Sequence, residues 1–279
     1  MSRLYVCATP IGNLEDITLR ALKVLKGVDV IAAEDTRHTK VLLERHGISA
    51  PLTSYHKFNV SSKTGHILDL IRNGKDVALV SDAGMPGISD PGYELIKEAV
   101  EAGIEVVPVP GPSAVITALA VSGLPADRFC FEGYIPRKKG ERVRFLERLK
   151  EEERTVVLFE APTRILGSLN DIRKVLGDRP VAVAREMTKK FEEVIRGKTD
   201  EAIRHFEKKR PKGEFVIVIE GFRLQASGVS EDTLKLVREL LRAGMSKKDV
   251  ARVVSKYSGL PKNQVYDIVL SARGSVGRE

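Results

Sequence analysis

Two neighbouring carboxylates are candidates for a role in catalysis. Glu34 and Asp35 directly follow the apolar run 29–33 and precede Arg37. A carboxylate at the end of a strand can accept a proton from a substrate hydroxyl. Asp35 is equally suited to cap a following helix, because its side chain can accept a hydrogen bond from the first helical turn. We therefore predict Glu34 and Asp35 as catalytic residues, and a capping role for Asp35 stays open beside this one.

Three loops rich in glycine and proline could bind a polar ligand through their backbones. Residues 81–92 contain three glycines and two prolines, and shorter segments of the same kind occupy 8–14 and 110–114. Each follows an apolar run that is typical of a strand. Because ligands of open α/β sheets bind beyond the carboxyl ends of the strands, we expect these loops to share one site. An ordinary turn between strand and helix is the alternative for any one of them alone.

Basic side chains also follow strand-like runs further along the chain. Arg164, Arg185 and Lys189 are in such positions, and two denser basic clusters occupy 137–148 and 208–212. A positive side chain at a cleft would suit an RNA phosphate. Ion pairing on a solvated surface is the alternative for all of them.

Composition and missing motifs narrow the classes of protein. The 279 residues carry 46 Lys and Arg against 38 Asp and Glu, and the net charge of +8 favours polyanionic partners but also serves solubility. The chain contains no GxxxxGKS/T, GxGxxG, HExxH or GxSxG segment. The missing motifs therefore argue against four classes of protein: nucleotide triphosphatases, ordinary Rossmann dehydrogenases, zinc hydrolases and serine hydrolases.

The cysteines give no sign of a metal site or a disulfide framework. Cys7 and Cys130 are the only two, and they lie far apart in the chain. We therefore expect a protein without a metal in a reducing cytoplasm. The apolar run near the N-terminus is too short for a signal peptide. We also expect no membrane span.

The first half of the chain alternates β-branched runs with helical patterns. Leu19, Leu22 and Leu25 show helical spacing, so the order is β-α-β-α and predicts a largely parallel sheet within an α/β fold. The strands are apolar throughout, which is typical of strands buried on both faces. They are predicted at 4–8, 29–33, 76–80 and 104–109.

The second half predicts a mixed sheet. Runs 180–186 and 192–197 are separated by only five residues, too few for a helical crossover, so we expect them to be antiparallel neighbours. A break near 122–126 divides the two halves, and we predict one domain at 1–122 and a second at 123–224. The remaining strands of the second half are predicted at 128–135, 155–160 and 214–221.

Residues 225–279 predict a third, small helical unit after a linker at 225–230. Ser246 is expected to cap one helix, and Pro261 is expected to open the last one. Between these helices, residues 258–260 form a three-residue turn containing glycine. Two helices joined in this way have the helix-turn-helix pattern, although a helical cap without nucleic-acid contact is the alternative.

Six segments, in their order and spacing, resemble the tetrapyrrole methylase family of S-adenosylmethionine (SAM) enzymes. They are TPIGNLEDITLRA, AEDTR, VSDAGMPGISDPG, VPGPSAVITAL, FEAPTRI and AREMTK, and the resemblance extends from about residue 3 to 221. It implies a two-domain methyltransferase, usually homodimeric, that binds SAM in a cleft between the domains without a metal. The likeness is to those members that methylate the ribose 2'-hydroxyl of a cytidine in the decoding centre of 16S rRNA, within the small ribosomal subunit.

The resemblance also implies cofactor-binding residues. The family often has Gly-Asp-Pro where this chain has residues 84–86, Gly-Met-Pro, so backbone groups must do more of the binding here. The cofactor-binding candidates are Gly84, Met85, Ile88, Ser113, Ala114, Glu160, Ala161 and Met187. The substrate-binding candidates are Thr9, Asn13, Arg37, Arg164, Arg185 and Lys189.

Two other functions share part of this pattern. A methyltransferase acting on a carbon of a tetrapyrrole would have the same fold, but the AEDTR and APTR segments, the positive charge and the helical tail speak against it. A ligand sensor that drives a helix-turn-helix module would need base-reading side chains in residues 261–271, where basic residues are few.

Overall fold

A computed structural model of the chain describes residues 2–208, 211–222 and 231–271. The chain divides into two compact units, Met1–Gly221 and Phe222–Glu279. The predicted linker 225–230 lies outside the described residues, as do Lys209 and Arg210 of one predicted basic cluster. Within the described ranges, no helix is long and apolar enough to cross a membrane.

The first sheet consists of β1 (Arg3–Cys7), β2 (Val30–Ala33), β3 (Leu52–Ser54), β4 (Val77–Val80) and β5 (Glu105–Val109). Its spatial order is β3-β2-β4-β1-β5. Every neighbouring pair is parallel. The prediction of a parallel α/β sheet in the first half is confirmed, and all five strands end at the same edge.

Helices cover both faces of this sheet. One face is covered by α1 (Leu19–Gly27) and α2 (Thr36–Arg45), and the other by α3 (Val60–Arg72) and α4 (Tyr93–Glu101). Strand β4 is buried at every position, as expected for an apolar central strand. Strand β5 lies at the edge and is only partly buried, so the expectation of burial on both faces is wrong there.

Two details of the first half differ from the prediction. The helical spacing predicts Leu19 and Leu25 on one face of the helix, yet Leu19 is 86% exposed and Leu25 is buried. The buried face of α1 is centred on Ala21 and Leu25, which places Leu19 on the opposite side of the helix. Strand β3 was not predicted, because its three residues are too few to show a periodic pattern.

The second sheet consists of β6 (Phe129–Tyr134), β7 (Thr155–Glu160), β8 (Pro180–Arg185), β9 (Glu193–Lys198) and β10 (Phe215–Ile219). Its order is β6-β7-β10-β8-β9. Only β6 and β7 are parallel, and the other neighbours, including β8 and β9, are antiparallel. The predicted mixed sheet and the antiparallel pair are confirmed.

One face of the second sheet packs against α6 (Lys139–Arg148), α7 (Ile165–Leu176) and α8 (Thr199–Lys208). The other face packs against α5 (Ala114–Val121), although this helix follows β5 of the first sheet. Helix α5 thereby connects the two sheets through an apolar contact. The predicted limits 1–122, 123–224 and 225–279 stay predictions, and the first of them falls between the two sheets.

The described residues of the second unit form three helices: α9 (Glu231–Arg242), α10 (Lys247–Ser258) and α11 (Lys262–Ser271). Ser246 caps α10 by accepting a hydrogen bond from the Asp249 N–H, as predicted. Gly259 ends α10 in the left-handed conformation, with φ +70°, which glycine adopts without strain. Val250, Val254 and Ile268 are among the buried residues that hold the three helices together.

A truncation in the second sheet should show that its core stabilises the fold. Leu158 in β7 is fully buried among side chains of α6, α7 and α8. Replacing it by alanine removes apolar contacts and leaves a cavity, so we expect a loss of about 2 to 5 kcal/mol in the free energy of unfolding. Urea unfolding measures this loss. The control Val100→Ala changes an exposed residue, and a loss as large as that of Leu158→Ala would contradict the assignment.

Candidate active site

A cleft of about 390 Å³ lies where the two sheets end. From the first sheet it receives Glu34 after β2 and the loop after β4, and from the second sheet Phe159 at the end of β7. Glu214, just before β10, belongs to the same edge because β10 is antiparallel to β7. The carboxyl ends of the parallel strands therefore meet at this cleft, as ligand sites of open α/β sheets do.

The loop after β4, residues 81–92, is the glycine-rich loop. Two backbone hydrogen bonds join it to the loop after β1. The Thr9 N–H donates to the Gly84 carbonyl at 2.9 Å, and the Gly84 N–H donates to the Thr9 carbonyl at 3.0 Å. The Thr9 hydroxyl donates to the Ser81 carbonyl at 3.0 Å. Thr9 is thus buried and holds the loop in place, and its predicted contact with substrate stays a prediction.

Gly84 is needed for its backbone conformation. Its φ is +84°, in the region that side chains disfavour. A Cβ at this position would lie 3.7 Å from the nearest heavy atom, so space alone does not require glycine. Ser89 in the same loop has φ +63° without being glycine, which marks a local strain beside the cleft.

Three of the carboxylates that line the cleft come from the loops after β2 and β4: Glu34, Asp82 and Asp90. Burial raises the pKa of Glu34, and the charge of Asp82 raises it further. Burial, followed by the charges of Glu34 and Asp82, raises the pKa of Asp90 to about 7. Neighbouring negative charge therefore opposes the ionisation of Glu34 and Asp90, and a cation or a hydrogen-bond donor in the cleft would stabilise their charged forms.

Asp35 is positioned differently from its neighbour Glu34. It caps α2 by accepting a hydrogen bond from the Arg37 N–H at 2.8 Å, and the Arg37 guanidinium lies 2.6 Å from its second oxygen. These hydrogen bonds hold the pKa of Asp35 well below its usual range. Asp35 does not line the cleft. The capping alternative describes its contacts, and its catalytic role and the substrate role of Arg37 stay predictions.

The loop after β5 and the strands of the second sheet form the opposite wall. Ser113 caps α5 and lines the cleft together with Ala114. The aromatic rings of Phe159 and Tyr134 also line it, with centroids 5.3 Å apart in an edge-to-face arrangement. This wall offers apolar and aromatic surface to a planar ring.

Glu160 is buried and forms an ion pair with the half-buried Arg164 behind this wall. A guanidinium nitrogen of Arg164 lies 2.6 Å from the fully buried Glu160 carboxylate, which also accepts hydrogen bonds from the Ala161 N–H and the Ser168 hydroxyl. Arg164 donates in addition to the Ile135 carbonyl at 3.1 Å. The donors of Arg164 are therefore directed into the protein.

Arg185 and Lys189 are paired in a similar way. Arg185 is buried with a nitrogen 3.5 Å from Glu193. The Lys189 ammonium lies 3.1 Å from Glu186 and 2.8 Å from Glu214, a residue of the cleft wall. As with Arg164, ion pairing describes their contacts, and their roles toward a substrate stay predictions.

Two other predicted residues lie outside the main cleft. Met187 is buried in the apolar cluster between α5 and the second sheet. The Asn13 N–H donates to the Thr188 hydroxyl at 3.0 Å, and Asn13 borders a separate open depression together with Arg45 and Lys189.

The structure brings together eight of the predicted site residues. They line the cleft and are Glu34, Gly84, Met85, Ile88, Ser113, Ala114, Glu160 and Ala161. Sequence reasoning did not single out the other twelve residues that line it, among which are Asp82, Asp90, Tyr134, Phe159, Glu214 and Phe215. The first two could have been proposed, because carboxylates within a glycine-rich loop after a strand are candidates for the same reason as Glu34.

The part of the chain that the structure describes contains no group of three or more His, Cys, Asp or Glu side chains arranged to hold a metal ion. Fold and cleft together define a class: a two-sheet α/β protein with a site for a small polar ligand where both sheets end. The family of tetrapyrrole (corrin/porphyrin) methylases matches residues 3–203, and the RsmI C-terminal HTH domain matches residues 227–273. The chain belongs to the tetrapyrrole methylase family and is a methyltransferase.

Similar proteins share one name. The ribosomal RNA small subunit methyltransferase I of Thermotoga maritima is 55% identical over 221 residues, which are 79% of this chain and 99% of that protein. Its namesake from Synechocystis is 46% identical and covers 97% of this chain and 98% of its own length. That of Escherichia coli O157:H7 is 45% identical and covers 98% and 96%.

Solved structures share the fold at lower identity. The uroporphyrin-III-C-methyltransferase of Thermus thermophilus has a TM-score of 0.56 at 23% identity, over 78% of this chain and 94% of that one. The methyltransferase CobJ has a TM-score of 0.60 at 18% identity, over 79% and 95%. These likenesses establish the fold and carry no information on the substrate.

Breaking the buried ion pair should destabilise the protein. Arg164→Ala leaves the Glu160 carboxylate buried without its cation, so we expect a loss of about 3 kcal/mol in the free energy of unfolding. Urea unfolding measures it. Adding Glu160→Gln to Arg164→Ala should recover part of the loss, since the buried charge is then gone. Wild-type stability of Arg164→Ala would contradict the structural role assigned to this residue.

Proposed function

We propose that this methyltransferase transfers a methyl group from SAM to the ribose 2'-hydroxyl of a cytidine in the decoding centre of 16S rRNA. The observation that carries the proposal is the convergence of the glycine-rich loop, Glu34 and Ser113 on one cleft. The curated relatives that share most of their length with this chain carry a name that specifies small-subunit ribosomal RNA. The cytidine and its 2'-hydroxyl come from the motif resemblance.

The residues of the cleft fit SAM in size and chemistry. Its volume of about 390 Å³ is in the range of small-molecule sites. Ile11, Ile88 and Val216 offer apolar surface for an adenine ring, and the peptide groups of residues 84–89 can bind polar atoms. Glu160 already has three internal hydrogen-bond donors, so its contact with the cofactor would come from its backbone.

The acidic side of the cleft fits a cationic ligand. SAM carries its transferable methyl on a positively charged sulfonium, so the chemistry supplied on binding is an already activated methyl group. Glu34, Asp82 and Asp90 place negative charge at this site, where burial strengthens electrostatic attraction. The loops have to orient a hydroxyl oxygen in line with the methyl and exclude water.

A carboxylate of this cluster is suited to accept the proton of the ribose hydroxyl. Glu34 and Asp90 both line the cleft and both have raised pKa values because they are partly buried and close to other carboxylates. A base works best when its pKa is near the working pH, which favours Asp90 with Glu34 as its partner. Asp35 is bound to Arg37 and is less suited to this role.

The location of the protein, its RNA binding and its assembly belong to the same proposal. We infer that the protein acts in the cytoplasm, binds RNA there and forms a homodimer. The proposal has a direct test: transfer of a labelled methyl group from SAM to 30S particles, with mapping of the modified nucleotide. Methylation of a precorrin-type tetrapyrrole in place of the rRNA, or no transfer at all, would refute it.

Substitutions of Glu34, Asp35 and Asp90 should distinguish the roles of these three acidic residues. We expect Asp90→Asn and Glu34→Gln to lower turnover by about 10² to 10⁴, the usual worth of a general base, while the protein stays folded. Asp35→Asn is the matched control, because asparagine caps a helix as well as aspartate does. Single-turnover methylation and thermal melting measure both effects. A wild-type rate in Asp90→Asn would remove Asp90 from the mechanism, and a loss of rate in Asp35→Asn as large as that in Asp90→Asn would support the catalytic role of Asp35.

The pH dependence follows from the same cluster. The base must be ionised, and the pKa of Asp90 is raised to about 7, so kcat/KM should increase with pH and level off above neutrality. Glu34→Gln removes one of the charges that raise this pKa, so any residual activity should level off at lower pH. A wild-type profile that is flat from about pH 5 to 8 would contradict the assignment.

Removing residues 225–279 should weaken RNA binding and spare the cofactor site. This segment carries ten Lys and Arg against six Asp and Glu, a net charge of +4. All residues of the cleft lie in the other compact unit, Met1–Gly221. We expect unchanged SAM affinity by calorimetry and a KM for 30S particles raised by about tenfold, with a weaker salt dependence. An unchanged KM would show the tail to be a dispensable cap.

A further inference from the structure

Phe58 presents its ring to solvent at the tip of a loop. Its exposed fraction is 83%, although phenylalanine has no polar atom to solvate. The Lys57 ammonium lies 4.8 Å from the centroid of the ring, and the His56 ring contacts its edge with centroids 6.1 Å apart. A single exposed apolar residue is common on protein surfaces, so the surroundings of Phe58 have to decide its role.

The loop around Phe58 is fixed by hydrogen bonds. Asn59 accepts a hydrogen bond from the His56 N–H at 2.8 Å and donates to the Ser54 carbonyl at 3.2 Å. On the other side, Tyr55 is fully buried and its N–H donates to the Ala33 carbonyl at 2.7 Å. The exposed ring is therefore held by an ordered turn, and little conformational entropy would be lost if a ligand stacked on it.

The topology places this turn beside the cleft. It follows β3, which runs parallel to β2, and β2 leads directly into Glu34. His56 and Lys57 of this turn are close enough to Glu34 to affect its pKa. Burial raises that pKa, and the charges of His56 and Lys57 act against the increase. Phe58 and Lys57 therefore lie at the edge of the sheet where the proposed reaction takes place.

We propose that Phe58 and Lys57 form a stacking platform for an unpaired RNA base next to the methylated nucleotide. This inference rests on the proposed function and concerns the RNA partner of that site. Bases of single-stranded RNA stack on exposed aromatic rings, and a lysine beside the ring can contact the adjacent phosphate. An apolar partner protein would need a wider apolar patch than one ring between His56 and Lys57.

The test compares three variants of the full-length protein. Phe58→Ala removes the ring, Phe58→Trp keeps an aromatic surface, and Val100→Ala changes an exposed apolar residue at the C-terminal end of α4, away from the strands' carboxyl edge. We expect Phe58→Ala to raise KM for 30S particles by about 5- to 150-fold, the range for one stacked base, at unchanged SAM affinity. Phe58→Trp and Val100→Ala should behave like the wild type.

A binding measurement keeps this inference separate from the proposed function. An RNA fragment of the decoding centre with 2-aminopurine in place of one unpaired base should lose fluorescence on binding the wild type and keep it with Phe58→Ala. If the wild type transfers no methyl group to 30S particles, the proposed function fails, and the fluorescence still decides whether the platform binds a base. Equal KM and quenching in wild type and Phe58→Ala, or a changed oligomeric state in that variant, would overturn the platform.

Discussion

The backbone pairing of Thr9 with Gly84 is the contact on which the geometry of the cleft depends. Their two hydrogen bonds join the loops that leave the neighbouring parallel strands β1 and β4. The Thr9 hydroxyl adds a third hydrogen bond, to the Ser81 carbonyl, so the two loops are held together beyond the ends of their strands. With these hydrogen bonds, Ile11 and the segment 84–89 form one continuous lining. The positive φ of Gly84 is what allows this pairing.

When no cation is bound, the cleft disfavours the charged form of a carboxylate that lines it. Ionising Asp90 costs free energy in the folded protein, since its pKa there is about 7 and its ordinary value is 3.8. A raised pKa contributes stability below the unfolded value, and this contribution is lost as the pH increases from about 4 through 7. A cationic ligand reverses the balance, because it favours the charged form. Binding and ionisation in this cleft are therefore coupled.

The sequence was sufficient wherever the signal is local or is fixed by topology. Uniformly apolar runs predicted the parallel strands, and the short spacing after residue 186 predicted the antiparallel pair β8 and β9. Parallel strands must end at one edge, so the convergence of the glycine-rich loops was also predictable. The three residues of β3 had no local signal, because their strand character comes from pairing with β2.

The sequence alone could not predict which partners the charged side chains have. Arg164 follows a strand as Glu34 does, yet it turns inward because Glu160 is buried beside it. Whether a loop side chain faces the cleft depends on backbone angles such as the positive φ of Ser89, next to Asp90. Neither burial nor such a conformation is encoded in residue type alone. The ion pair of Arg164 and the place of Asp90 in the cleft lining could therefore be learned only from the structure, and the substrate role of Arg164 stays a prediction.

The distribution of charge separates the two ligands of the proposed reaction. Arg164 and Lys189 lie beside the cleft wall and are paired with carboxylates, while Glu34, Asp82 and Asp90 line the cleft. A polyanion is therefore repelled from the interior of the cleft and a cation is attracted to it. An RNA strand has to be bound by positive charge and stacking outside the cleft, so that only a neutral hydroxyl group approaches the carboxylates. The net positive charge of the chain can serve that outer contact without weakening the acidic interior, because the two act on different surfaces.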